Sequence, residues 1–214
     1  MDLHIHSSYS YDSFSRPKDI IKNSIKKHID IIAVTDHDTI KGSLVTFQEN
    51  KDMNSKLLVI KGEEVHTDLG DIIGLFLNNE IKYKTINEVL DEINDQDGLV
   101  ILPHPLKSHK TDLLKPYMDR IEFIEILNSR APLTEQQKQE LHSLNKRELG
   151  SSDAHFIFEI GKCFTSLDSP SMPATYDGLI PILRKYPLLP EGSFSNPLLE
   201  RSSQLIKKIR LRSR

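Results

Sequence analysis

The sequence contains a single cysteine, Cys163, in 214 residues. It therefore has neither an internal disulfide framework nor a cysteine-based zinc module. An excess of either charge is also missing. With 28 Lys plus Arg against 31 Asp plus Glu the formal net charge is −3, which counts against a chain built chiefly to hold nucleic acid. No basic amino-terminal region runs into an apolar stretch, so no signal peptide is expected. No run approaches the roughly 20 apolar residues of a membrane span, and a cytoplasmic protein is the expectation. A hydrophobic fraction of 37% still allows a packed core, and the length suits one domain.

What the sequence does have is histidine, nine in all, the commonest metal-ligating side chain. Two of them lie in the opening stretch "MDLHIHSSYSYDS". Side chains at i and i+2 of a strand point to the same face, so His4 and His6 converge on one spot. A solvated strand gains nothing from that pairing, whereas a metal site gains two ligands.

Short apolar runs alternate with amphipathic segments along the chain. "DLHIH", "DIIAVTD", "LLVIKGEEVHT", "GDIIGLFL", "GLVILPHP", "RIEFIEILN", "LGSSDAH" and "GKCFTSL" read as strands, the third and fourth joined by a turn at "DLGD". "SRPKDIIKNSIKKH", "KGSLVTFQENK", "TINEVLDEINDQ", "LTEQQKQELHSLNKR" and "TYDGLIPILRKY" read as helices. Ser15 is the expected N-cap of the first, with Pro17 in its first turn, and Pro181 is expected to interrupt the last. Alternation of this kind implies a parallel sheet, and this many units can close into a barrel. The barrel is expected over 1–190. Residues 191–214 form a separate tail in which Leu198, Leu199, Leu205, Ile206 and Ile209 approach helical spacing. From Arg201 to Arg214 that tail carries six basic residues and no acidic one. This pattern predicts a helix packed on the outside of the barrel with a solvated basic face, or alternatively a docking or anionic-surface element.

Ligand-type residues sit where the strands end: His4 and His6, then Asp36, His37 and Asp38, Glu63 and Glu64, His104, Asn128, and finally Asp153 and His155. Singly, each has an ordinary explanation as a turn residue, a helix cap or an edge charge. Together they need too many coincidences at one end of one fold, the end where parallel α/β proteins build their sites.

"DLHIHSSYSYDS", "VTDHDT", "GEE", "PHP", "EILNSR" and "GSSDAH", in that order over roughly 1–168, resemble the PHP domain, the polymerase and histidinol phosphatase superfamily of metal-dependent phosphoesterases. The resemblance implies an α/β fold, a distorted (β/α)7 barrel, with two to three divalent metal ions at its carboxyl-terminal mouth. By position, His4, His6, Glu64 and Asp153 would hold one metal. Glu64 would bridge to a second metal completed by His104 and Asn128, and Asp12, His37 and His155 would hold the third. Glu64 is chosen over Glu63 because the family's glutamate lies two residues after the glycine, here Gly62. Alternation also puts His66 on the Glu64 face, as a candidate outer-shell group. Many relatives have histidine in place of Asn128, and an amide oxygen is the weaker ligand, so the second metal is expected to bind loosely. The mixed N/O donor set suits Zn, Mn or Fe.

The activity implied is hydrolysis of a phosphate monoester of a small metabolite or nucleotide by a metal-activated hydroxide. Arg130, in "NSR", is expected to clamp the phosphate. Lys107, His109 and Lys110 would ring the mouth, Tyr9 and Tyr11 would border it, and Cys163 reads as core. Only a short helical stretch separates "TDHDT" from the next strand, so no inserted domain covers the pocket. Two other readings remain: a 3′–5′ exonuclease or phosphodiesterase on nucleic acid, which the near-neutral charge disfavours, and a non-catalytic metal-binding docking module, which the full ligand set disfavours.

Overall fold

The computed structural model describes residues 1–107, 111–171 and 176–212. Strands β1 (Asp2–Ile5), β2 (Ile31–Val34), β3 (Leu58–Thr67), β4 (Gly70–Leu75), β5 (Leu99–Leu102), β6 (Phe123–Asn128) and β7 (Arg147–Ser151) hydrogen-bond in chain order into one sheet. Between them fall helices α1 (Pro17–Lys26), α2 (Lys41–Asp52), α3 (Ile86–Asn94), α4 (Thr111–Leu114) and α5 (Glu135–His142). The sheet curls into a nearly closed barrel, the distorted (β/α)7 form expected. It is not wholly parallel: β4 runs antiparallel to both β3 and β5. The two-residue turn after Thr67 forces this, because a hairpin can join only antiparallel strands.

Every residue of β2 is buried because both of its faces are covered. Ile31 and Ala33 point inward, onto a floor shared with Ile60, Ile73, Ile101, Phe123 and Leu149. Ile32 and Val34 pack outward against Ile20 and Ile21 of α1. The stripe Ile86, Val89, Leu90 and Ile93 of α3 is likewise buried. Each such side chain contributes about 1.5–3 kcal/mol of transfer free energy.

Four local expectations need correction. Arg16, not Ser15, is the N-cap of α1 and makes no side-chain cap; the Ser15 hydroxyl donates instead to the His155 carbonyl at 3.1 Å. Helix α5 ends at His142, with a capping box between Thr134 and Gln137 at its start. The helical pattern had extended to Arg147, but Arg147 pairs with Phe123 in the β6–β7 ladder, and tertiary pairing outweighs local propensity. Pro181 does not interrupt its helix. It is the third residue of α6 (Leu179–Lys185), in a first turn where its missing N–H is harmless. The strand "GKCFTSL" stands outside the barrel: β8 (Cys163–Leu167) pairs with β9 (Leu188–Gly192) in a separate antiparallel ribbon. Cys163 is fully buried, as read, and burial pushes its thiol up to about 12.

The seam between β1 and β7 carries no continuous ladder. One bridge, Ile5 to Ala154, is present, with the His6 N–H donating to the Ala154 carbonyl at 2.9 Å. The Ala154 N–H donates back to the His4 carbonyl at 3.4 Å, and a side chain adds to these. The buried Asp2 carboxylate accepts from Ser152 N–H at 3.0 Å and from Gly161 N–H at 2.8 Å. Asp2→Ala leaves the buried Ser152 N–H and the half-buried Gly161 N–H unpaired, so urea unfolding should report a loss of about 1–3 kcal/mol, whereas exposed carboxylates such as Asp52 should tolerate the same change.

Candidate metal centre

Above the apolar floor, the inward face of the barrel turns polar within one or two residues on several strands. Ile60 and Gly62 are followed by Glu64, Phe123 by Glu125, and Leu149 by Ser151 and Asp153. On β4, which runs the other way, Ile73 is preceded by Asp71. Glu64 is fully buried and lies at the centre. Its Oε2 is 3.3 Å from His4 Nε2, 3.4 Å from His6 Nε2 and 3.0 Å from His37 Nδ1, and its Oε1 is 3.0 Å from His104 Nε2. Asp153 Oδ1 approaches His6 Nε2 at 3.3 Å and His4 Nε2 at 3.6 Å. Asp12 Oδ2 lies 3.3 Å from His37 Nε2 and 3.2 Å from His155 Nε2. Glu63, one residue along, points away from this cluster and accepts from Ile81 N–H at 3.0 Å.

Local structure aims these groups. The backbone of residues 36–38 pairs with Glu64, with Asp38 N–H donating to the Glu64 carbonyl at 2.9 Å. Asp36, buried, accepts from the Ser7 N–H and hydroxyl at 2.6 Å each and so ties the β1 and β2 loops together. Gly42 sits directly beneath this pair; a Cβ there would lie 1.9 Å from Asp36 Oδ2 and 2.2 Å from Ser7 Oγ, so only glycine fits. Asp38, His104 and Asp153 adopt positive φ of 52°, 29° and 52°. That strain gathers at strand exits, where a site gains from a re-aimed side chain.

The electrostatics call for a cation. His4 Nδ1 lies 3.0 Å from Glu125 Oε1. A carboxylate can only accept, so Nδ1 carries the proton and Nε2 turns a lone pair on the Glu64 and Asp153 carboxylates. His155 repeats the pattern: its Nδ1 donates to the Asp153 carbonyl at 2.9 Å, leaving Nε2 against Asp12. A lone pair facing an anion at this range is repulsive unless a second proton or a metal ion lies between, and imidazole fixed through its other nitrogen is the usual metal-ligand arrangement. The donor set fits divalent metal. One ligand atom each from His6, Asp12, His37 and His155 lies within 4.8 Å of the others, as do those of His4, His6 and Glu64, of His4, His104 and Asp153, and of Glu64, Asp71 and His104.

Without metal, protons take its place. Burial disfavours charge on His37, but the Glu64 and Asp12 carboxylates outweigh it and raise its pKa to about 9. Burial opposes charge on His4 too, yet Glu125, Glu64 and Asp153 hold it well above its usual value. His6 goes the other way, to about 3, through burial and the neighbouring His155 and His37. Glu64 is buried, but His37 and His4 keep its carboxyl well below the ordinary range.

The other expected residues are placed as follows. Asn128 is buried, with its amide nitrogen 2.9 Å from Glu125 and its oxygen accepting from Arg130 N–H at 2.9 Å. Arg130 and Lys107 line the cavity over the cluster. Tyr11 stacks on His37 at 4.8 Å, whereas Tyr9 is exposed. His66 is largely exposed and bonds Asp71 at 2.7 Å. His109 and Lys110 lie outside the described residues. The tail forms α7 (Pro197–Arg212), but not on the outer wall: its Glu200, Ser203, Gln204 and Lys207 line the same cavity. Two further carboxylates belong to this neighbourhood. Glu125 orients His4 and accepts the His104 N–H at 3.0 Å; Glu159 pairs with Arg130 at 3.3 Å and accepts the His155 N–H at 3.1 Å.

Comparison with known proteins identifies the family. The PHP domain model matches residues 2–146, and a PHP-associated model matches 135–184. The chain belongs to the PHP domain family. The uncharacterized protein MJ1587 of Methanocaldococcus jannaschii is 36% identical over 144 residues, 60% of this chain and 81% of that one. MJ0417 of the same organism is 32% identical over 178 residues, 77% of this chain and 68% of that one. Among solved structures, a two-domain Bacteroides vulgatus protein containing a predicted PHP-like metal-dependent phosphoesterase superposes with a TM-score of 0.74 at 17% identity, over 95% of this chain and 68% of that one. At that identity the likeness is one of fold. Among the described residues of this PHP protein, no helix is long and apolar enough to cross a membrane.

The raised histidines set a pH dependence for the metal-free protein. A histidine whose folded pKa exceeds its unfolded value stabilises the fold fully below the unfolded pKa and loses that contribution as pH rises through the folded one. For His37 the window runs from 6.5 to about 9. Glu63, pushed up to about 8 by burial, acts in the same direction, and His6 acts only at lower pH. Chelator-treated protein should therefore lose on the order of 3 kcal/mol in urea unfolding between those pH values. Metal-loaded protein should lose clearly less, only the part that Glu63 contributes, since its ligands have already given up their protons.

Proposed function

We propose that this PHP protein hydrolyses a phosphate monoester of a small metabolite or nucleotide, using two to three divalent metal ions. The observation that carries the reading is the position of Glu64, whose two oxygens face separate sets of imidazoles, His4, His6 and His37 on one side and His104 on the other. One buried carboxylate shared in this way suits adjacent metal sites.

In this reading His4, His6, Glu64 and Asp153 hold the first ion, and Asp12, His37 and His155 hold the third. For the second we assign Glu64, His104 and Asp71 in place of Asn128, because the Asn128 oxygen is engaged by the Arg130 N–H and its nitrogen faces carboxylates. Bound divalent ions supply Lewis acidity toward phosphoryl oxygens and acidify the attacking water. The chain's own groups do the rest. Glu125 fixes the His4 tautomer and thereby aims its Nε2. Arg130, itself held by Glu159 and by Ser203 of α7, presents a guanidinium to the non-bridging oxygens. Lys107 adds a second positive charge at the rim.

The reading is tested on metal-stripped protein reconstituted with Mn and offered nucleoside monophosphates, sugar phosphates, histidinol phosphate and a single-stranded oligonucleotide. Release of phosphate from a small monoester, abolished by stripping and reduced at least about 100-fold by Asp153→Ala, is the expected result. Shortening of the oligonucleotide with no release from any monoester would replace this reading by the nuclease one. Metal analysis separates the two candidate ligands: Asp71→Asn should lose about one equivalent, and Asn128→Ala should retain full occupancy.

A further inference from the structure

Helix α7 turns a mixed side to the mouth and leaves much of its apolar surface in solvent. Ser203 is buried and Leu199 and Ile206 are half-buried, while Leu198 and Leu205 are 60% and 59% exposed. A helix docked by core burial alone would cover those leucines, so polar contacts help to place this one. Glu200 pairs with Lys107 at 3.0 Å, and the Ser203 hydroxyl accepts from Arg130 Nη2 at 3.1 Å. Lys207 Nζ sits 4.6 Å from the centre of the Tyr11 ring, and Arg210 donates to the carbonyls of Ser8 and Ser10 at 3.3 and 2.7 Å. The result is a roof over the ligand cluster enclosing about 300 Å³, the lower end of the range for small-molecule sites.

Charge in that cavity is unevenly matched. Arg130 is paired with Glu159 and Lys107 with Glu200, both on the side where β5 and β6 end. Lys207 stands on the opposite side, against the loop that follows β1. It reaches the Tyr11 hydroxyl at 3.4 Å and the Tyr11 ring; no carboxylate of the described residues lies within ion-pair distance of it. Tyr11 is in turn stacked on His37, with 8° between the rings. An ammonium held at the lip of an anion-binding cavity with only a phenol for company is free to meet an anion of the ligand.

We propose that Lys207 is a substrate-binding residue that selects small phosphate esters carrying a second anionic group, a carboxylate or another phosphate, on the side of the ester away from Arg130. This rests on the phosphoesterase reading and narrows it. Metals and Arg130 take the reacting phosphate, and α7 contributes the contact that distinguishes one ester from another. A charge-assisted contact of this kind corresponds to about a tenfold difference in affinity or more.

Phosphonates, which are not hydrolysed, isolate binding from turnover. Calorimetry on the whole 214-residue chain, reconstituted with Mn, compares propylphosphonate, 3-phosphonopropionate and propane-1,3-bisphosphonate, with inorganic phosphate as reference. At least one doubly anionic probe should bind about tenfold or more tighter than propylphosphonate, and the better of the two identifies the second group. Lys207→Ala should reduce that preference to under about twofold, and Lys207→Arg should keep most of it. Equal binding of all three probes by the wild type, or a preference that survives Lys207→Ala, overturns the proposal. Failure of inorganic phosphate and of every phosphonate to bind overturns the phosphoesterase reading, and this inference with it.

Discussion

A single fully buried carboxylate, that of Glu64, meets four imidazoles at 3.0–3.4 Å, and the architecture follows from what that arrangement demands. An unpaired anion at such depth would be prohibitive. Its partners must come from several elements, because no one strand can supply four imidazoles around one point. β1, the β2 exit and the β5 exit each deliver one or two. The barrel is the device that brings chain positions as distant as His4 and His155 into one shell, and buried carboxylates interleaved with imidazole lone pairs make that shell a receptor for cations, protons or metal ions alike.

The barrel is divided along its axis. Its floor is apolar and close-packed, from Ile31 to Leu149, and its mouth is polar and strained. Between the two, the seam of β1 and β7 is closed in part by Asp2 through backbone donors. His4 and His6 lie on one side of this seam, and Asp153 and His155 on the other. The candidate ligands therefore flank a seam held by few backbone hydrogen bonds, and their placement depends on the closure of the barrel itself.

Much of this centre was readable from the chain alone, for a physical reason. Period-two alternation and strand-end position are local properties, and they marked His4, His6, His37, His104, Asp153 and His155, together with Glu63 and Glu64 as a pair, without any knowledge of tertiary structure; the choice of Glu64 and the inclusion of Asp12 came from the family resemblance. Asp71 escaped because the rule of reading strand carboxyl ends fails on β4, whose amino end is the one at the mouth. Glu125 lies in the apolar run of β6 and has no local feature to distinguish a ligand-orienting carboxylate from an edge charge. The tail misled in another way. Helical periodicity assigned its leucines to the interior, yet Arg130, Lys107 and the carbonyls of Ser8 and Ser10 offered its polar side more than the outer wall offered its apolar one. Propensity identifies a helix, but only its surroundings choose which face it turns inward.

The antiparallel β4 has a consequence for how this centre can vary. Thr67 pairs with Gly70 across a turn of only Asp68 and Leu69, and the register runs from there through His66 with Asp71 to Gly62 with Leu75. Side chains alternate strictly along the strand, and Ile73, two residues beyond Asp71, is seated in the apolar floor, so packing fixes the face that carries Asp71 to the mouth. The same register thus serves the core and the candidate metal centre at once. A change that unseated Ile73 would move Asp71 with it, so floor and mouth cannot drift independently along this strand.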